Sequence, residues 1–198
     1  MGGSLSMPDP ASIPLAPGAP ACHSGHVDTP GTDAESDDEL DVAVVAYRRA
    51  GEWQVDDLVT ELLDDVGAIA AGLRRVPSDD GVALALISVE EDFLVLVRVV
   101  GDSTRVLLSD VTAAEEWDVA ESALTLLGLT ELALDAEDEE EPVPAGDLAI
   151  LADLGVSAED LTDLLEDDEL LPEEVLSEIA DQLGFGELFD DWVGLAPV

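Results

Sequence analysis

The stretch VALALISVEEDFLVLVRVVGDSTRVLLS, Val82 to Ser109, decides the fold. Three apolar runs, Val82 to Val89, Phe93 to Val100 and Thr104 to Ser109, are separated by Glu90-Glu91-Asp92 and Gly101-Asp102-Ser103, connections of hairpin length. Runs of this length and composition between turn residues predict an antiparallel meander. VALALI and FLVLV are nearly continuously apolar rather than alternating, which marks central strands with both faces covered. Something in the chain must therefore cover each face.

Upstream, DVAVVAYR from Asp41 reads as a strand ending at the turn Arg49-Ala50-Gly51-Glu52, and Trp53-Gln54-Val55 as a short second strand. Leu58, Leu62, Val66, Ile69 and Leu73 then recur at steps of three and four, predicting one amphipathic helix over 57–75, closed at Arg74-Arg75 and stopped by Pro77. Downstream, Thr112 to Leu127 sets Trp117, Ala120, Leu124 and Leu127 near helical spacing. The order is β-β-α-β-β-β-α, an α+β domain on an antiparallel sheet, assigned to 39–130.

The flanks differ in composition. Residues 1–38 are rich in Pro, Gly and Ser without a hydrophobic period and read as a disordered tail. Residues 131–146 include six acids in the seven positions Asp135 to Glu141 and end in Pro142-Val143-Pro144, the pattern of an acidic linker with a stiff end. A small helical C-terminal segment, 147–198, follows. It divides into Asp147 to Leu154, a piece capped at Ser157 that carries Leu161, Leu164 and Leu165, and a helix from Pro172 to its C-cap Gly184.

The chain has 48 acids against six arginines and no lysine, a formal charge of −42. That field repels nucleic-acid phosphates and anionic membranes and attracts basic proteins, so no direct nucleic-acid binding is expected and no membrane association. Acidic surfaces also serve simply as solvated faces, and a chain from a salt-loving organism has the same balance. The distribution is more specific than the total: every arginine lies between Arg48 and Arg105, whereas residues 131–198 hold 23 acids and no base. That third is the strongest candidate for contact with a basic surface, either a partner's or the chain's own arginines. A lone cysteine forms no internal disulfide, no apolar run reaches membrane length, and the N-terminus lacks a signal-peptide pattern, so the expected location is cytoplasmic.

Cys22, His23 and His26 all lie in the tail, leaving the rest of the chain without imidazole or thiol. Ser-His-acid and Cys-His nucleophiles and ordinary His/Cys zinc sites are excluded there. Cys22-His23-x-x-His26 offers three ligands without a full set or a supporting shell. Neither a P-loop nor a Gly-rich dinucleotide fingerprint occurs, so no cofactor is expected. Acid pairs such as Asp56-Asp57, Asp64-Asp65, Asp79-Asp80 and Asp167-Asp168 are the raw material of carboxylate and divalent-metal chemistry, but pairs arise by chance in so acidic a chain. No catalytic or metal residue is assigned.

Five residues stand out as candidate contacts with a partner. Arg98 interrupts the most apolar strand, and Arg105 lies on the next strand of the same hairpin. If the register sets both on one face they either pair with local acids or receive an acidic segment, in cis or from another molecule. Phe185, Phe189 and Trp192, at i, i+4 and i+7, form one helical stripe that either packs on the domain or is an exposed anchor.

The order VAVVAYRRAGEWQV, VALALISVEEDFLVLVRVV, RVLLSDVTAA, an acidic break, then PVPAGDLAILADLG and LPEEVLSEIADQLGF resembles the actinobacterial family of tRNA adenosine deaminase-associated proteins over about residues 41–185. LLSDVTAA and PAGDLAILADLG are its most telling blocks. The resemblance implies a role beside the deaminase and carries over no catalytic residue. The chain lacks the H-x-E and P-C-x-x-C elements of a zinc deaminase and is not that enzyme. The leading expectation is a non-enzymatic acidic accessory protein that binds a basic partner, with tRNA adenosine deaminase as the candidate. A carboxylate/divalent-metal enzyme and a nucleic-acid-mimicking inhibitor of a basic protein are the alternatives.

Overall fold

The computed structural model describes residues 40–59, 62–136 and 142–195. Six strands make one antiparallel sheet in the order β2-β1-β3-β4-β5-β6: β1 Leu40–Arg49, β2 Glu52–Asp57, β3 Val82–Val89, β4 Phe93–Val100, β5 Ser103–Leu108 and β6 Ala145–Gly146. The predicted meander forms β3 to β5, and β1 inserts beside β3. A two-residue turn joins β1 to β2, with Ala50 and Gly51 both at positive φ (55° and 81°), the backbone form whose twist suits a tight hairpin.

The continuous apolar runs have the predicted meaning, because strand alternation sends odd and even residues into different cores. Ala83, Ala85, Ile87, Val89, Phe93, Val95 and Val97 face a first core, closed by α1 (Val66–Leu73) and α2 (Asp118–Leu127). Leu84, Leu86, Leu94 and Leu96 face a second, closed by α4 (Ala158–Leu165), α5 (Pro172–Leu183) and α6 (Gly186–Val193). The sheet is thus sandwiched, and the C-terminal helices form one of its two covering layers.

Three local expectations change. The helix expected over 57–75 is confined to Val66–Leu73. Asp56 and Asp57 instead complete the ladder with Val45 and Val44 of β1, and the Asp65 carboxylate caps the shortened helix by accepting from the Ala68 N–H. Leu58 and Leu62 still pack on the first core, which is why their spacing imitated a longer helix. The element expected over Thr112–Leu127 is a 3-10 turn, Val111–Glu115, followed by α2 from Asp118.

The third change concerns 131–146, read as a linker. Its first residues belong to α3 (Thr130–Ala136), whose Ala136 lies in the first core, and Ala145–Gly146 pair with Leu108 and Leu107 as β6. Residues 1–39, 60–61, 137–141 and 196–198, which include the tail reading and most of the acidic run, lie outside the described residues.

Phe189 of α6 is wholly buried among the second-core leucines. Phe189→Ala is expected to lower unfolding free energy by about 3–5 kcal/mol in urea titrations. A loss below about 1 kcal/mol would mean that α6 is not part of the folded body.

Candidate functional site

Arg98 and Arg105 are directly opposite each other on β4 and β5, and both lie on the second face, continuing the even series Leu94, Leu96. Two guanidinium ions side by side repel, and Arg98 is only 1% exposed. Among the described residues, the carboxylates that pair with them come from the segment after β6.

Arg98 donates through Nη1 and Nη2 to the two carboxylate oxygens of Asp153 at 2.5 and 2.7 Å, a bidentate pairing, and through Nη1 to the Ile150 carbonyl at 2.5 Å. Arg105 donates through Nε to Asp147 at 2.5 Å, through Nη2 to the Ala149 carbonyl at 2.6 Å and through Nη1 to the Ile150 carbonyl at 3.1 Å. The Ile150 carbonyl therefore takes two cationic donors. This explains why Asp147 to Leu154, expected as a helical piece, is instead a turn closed by a short 3-10 segment, Ala152–Leu154. Its carbonyls bond to the sheet's arginines rather than continuing a helical ladder.

The approach of this segment depends on Gly146. Its φ is +108°, and a Cβ there would lie 2.2 Å from the Val106 carbonyl oxygen. Only glycine permits β6 to lie against β5 with the Asp147 N–H bonded to that same oxygen at 2.8 Å. Just upstream, the Val111 N–H donates to the Val143 carbonyl at 2.9 Å, and Asp110 accepts from the Thr112 N–H and hydroxyl. Gly146, Asp147 and Asp153 were not singled out in the sequence. The signal was the P-x-G-D pattern beside a base-free segment and a sheet holding every arginine.

The Arg98 and Arg105 hydrogen bonds hold the Asp153 carboxyl down at about 2 and lower that of Asp147. Of the two readings left open for the arginines, pairing in cis with the C-terminal segment is the one this geometry displays, and Arg98 is too buried to meet a partner.

The aromatic stripe divides. Phe189 and Phe185 are buried in the second core, so neither is an exposed anchor. Phe185 packs against Trp53 with ring centroids 4.7 Å apart, and the Trp53 indole N–H donates to the Leu183 carbonyl at 3.0 Å. Trp192 is 44% exposed, its indole N–H donating to Asp57 of β2 at 3.1 Å.

The acid pairs perform local structural tasks. Asp65 caps α1, Asp79 accepts from the Ala50 N–H, and Asp80 accepts from the Ser78 hydroxyl and the Val82 N–H. Among the described residues, no group of three or more His, Cys, Asp or Glu is arranged to hold a metal, and no helix is long and apolar enough to cross a membrane.

Three measurements address this arrangement. Asp153→Asn leaves a buried guanidinium beside a second one and is expected to cost about 2–3 kcal/mol, reduced from a fully buried pair because the aspartate side chain is 63% exposed. Arg98→Met removes the charge together with its repulsion and should cost less; the reverse order in urea titrations would contradict the clamp. The gap between wild type and Asp153→Asn also has a pH signature. A lowered folded pKa stabilises above the ordinary value and loses that contribution as pH falls, so the gap should be constant down to about 4 and close between there and about 2. A gap unchanged at pH 2 would exclude this pairing. Gly146→Ala should detach the segment, seen as loss of Trp53 burial in fluorescence.

Sequence comparison with known proteins finds relatives across most of the described chain. Residues 41–186 match the family of Rv3753c-like tRNA adenosine deaminase-associated proteins. The chain is 35% identical over 156 residues, 78% of its length and 87% of the relative's, to Protein Rv3753c of Mycobacterium tuberculosis. No solved structure matches. LLSDVTAA and PAGDLAILADLG, which meet where β6 pairs with β5, both lie inside the matched stretch, and on that match and that identity the chain belongs to the Rv3753c-like tRNA adenosine deaminase-associated protein family.

Proposed function

We propose that this protein is a non-enzymatic accessory that binds a basic, nucleic-acid-handling protein through the outer surface of its C-terminal layer, with tRNA adenosine deaminase as the partner. Family membership supports the choice of partner. The observation that carries the surface is one of charge. Residues 131–198 hold 23 acids and no base, while Arg98 and Arg105, the arginines beneath this layer, are engaged by Asp147 and Asp153. Other acids of the layer, such as Glu159, Glu178 and Glu187, are exposed on its outer side.

A surface of one sign attracts a basic partner over distance and rejects RNA, so the complex forms between proteins and the RNA contacts remain the partner's. The absence of imidazole and thiol outside residues 1–39 accords with a role in binding rather than catalysis.

Purified tRNA adenosine deaminase from the same organism is expected to bind this protein at low salt. Its affinity should fall on the order of tenfold as added salt shortens the screening length. Bound tRNA should stay on the deaminase when the protein is added. Absence of binding at low salt, with both proteins folded, would reject the partner; displacement of tRNA would make the protein an inhibitor that imitates nucleic acid.

A further inference from the structure

Helix α6 buries Gly186 and Phe189 and turns Glu187, Leu188, Asp191 and Trp192 outward. Leu188 and Trp192 stand one helical turn apart, so their side chains share a stripe, and they remain 38% and 44% exposed. Val55 faces the second core, so alternation along β2 carries Asp57 to the side on which α6 lies. Asp57 there accepts the Trp192 indole N–H at 3.1 Å.

Single exposed apolar residues are ordinary; a cluster centred on a tryptophan is the composition found where binding energy concentrates. The bond to Asp57 also holds the ring in one orientation before any partner arrives, which lowers the ordering cost of association. Around it stand Asp57, Glu187 and Asp191. A second copy of the chain would bring the same negative corner against itself, and nucleic acid or an anionic membrane would be repelled.

We propose that this corner is the anchor of the protein contact: Trp192 and Leu188 enter an apolar recess on the partner, and lysines or arginines around its mouth meet Asp57, Glu187 and Asp191. This rests on the accessory reading above and locates its interface. Trp192 lies beyond the family-matched stretch, which ends at 186, so the anchor is an addition to contacts made by the rest of the layer.

The test is calorimetric titration of purified tRNA adenosine deaminase with the full chain, using wild type, Trp192→Ala, Leu188→Gln and Leu126→Ala, the last an exposed residue of α2 on the opposite layer. Trp192→Ala should weaken binding at least about tenfold and Leu188→Gln severalfold, with Leu126→Ala within about twofold. Leu188 is outward and makes the second variant independent of any folding defect in the first. If wild type binds and both α6 variants bind equally well, the anchor is wrong and the accessory reading stands. If wild type does not bind, both fall. If Trp192→Ala instead converts a dimer of this chain to monomer in sedimentation, the occupant is a second copy and the proposal is overturned.

Discussion

Two positive charges placed opposite each other on adjacent strands, on a sheet face whose buried residues are mainly leucine, valine and alanine, constrain the whole second half of this protein. Among the described residues, no carboxylate of the sheet pairs with Arg98 or Arg105. The chain must bring one, and a buried guanidinium also requires acceptors for its remaining donors. Residues 147–153 supply two carboxylates and two backbone carbonyls in a turn rather than a helix, which engages every guanidinium nitrogen of the pair except Arg98 Nε, buried without an acceptor among the described residues. Once that turn is docked, α4 to α6 follow onto the second face, where Ile150, Leu161, Leu176, Ile179 and Phe189 complete the core. Polar specification of where the segment sits and apolar burial that holds it there are separate contributions, and the second is the larger source of stability.

The same pairing organises the charge. Asp147 and Asp153 are committed to the arginines, and other acids of the layer, such as Glu159 and Glu178, face water. An acidic protein of this kind repels itself at low ionic strength. It is held together by burial on both sides of the sheet, and its exterior is left available to attract a basic surface. The blocks LLSDVTAA and PAGDLAILADLG meet in this chain at the joint between β5, the following 3-10 turn and β6, where the C-terminal layer is attached.

Much of this was legible in the sequence. Apolar runs bounded by short turns announced β3, β4 and β5, and their lack of alternation announced two covering layers. The pairing of Arg98 with Arg105 was conditional on register, which the run lengths left open. What stayed hidden was tertiary in origin. Leu58 and Leu62 fell at helical spacing because a strand end and a loop happen to point into the core that α1 also faces. Asp147 to Leu154 carried the apolar spacing of a helix, yet its carbonyls found stronger donors in the arginines. Gly146 resembled any turn glycine until the approach of the Val106 carbonyl gave it a reason. Phe185 and Phe189 were ambiguous between core and anchor because helical spacing alone does not say which side of a helix is covered.

The central claim is that the C-terminal layer is an integral half of the fold, fastened in cis by the arginine pair. Native-state hydrogen exchange tests it most directly. Amides of α5, such as those of Ile179 and Ala180, should exchange through the same global opening as those of Leu86 and Leu96 in the central strands, with matching free energies and denaturant dependence. Exchange of α5 amides through a separate, much less costly opening, while the strands remain protected, would contradict it.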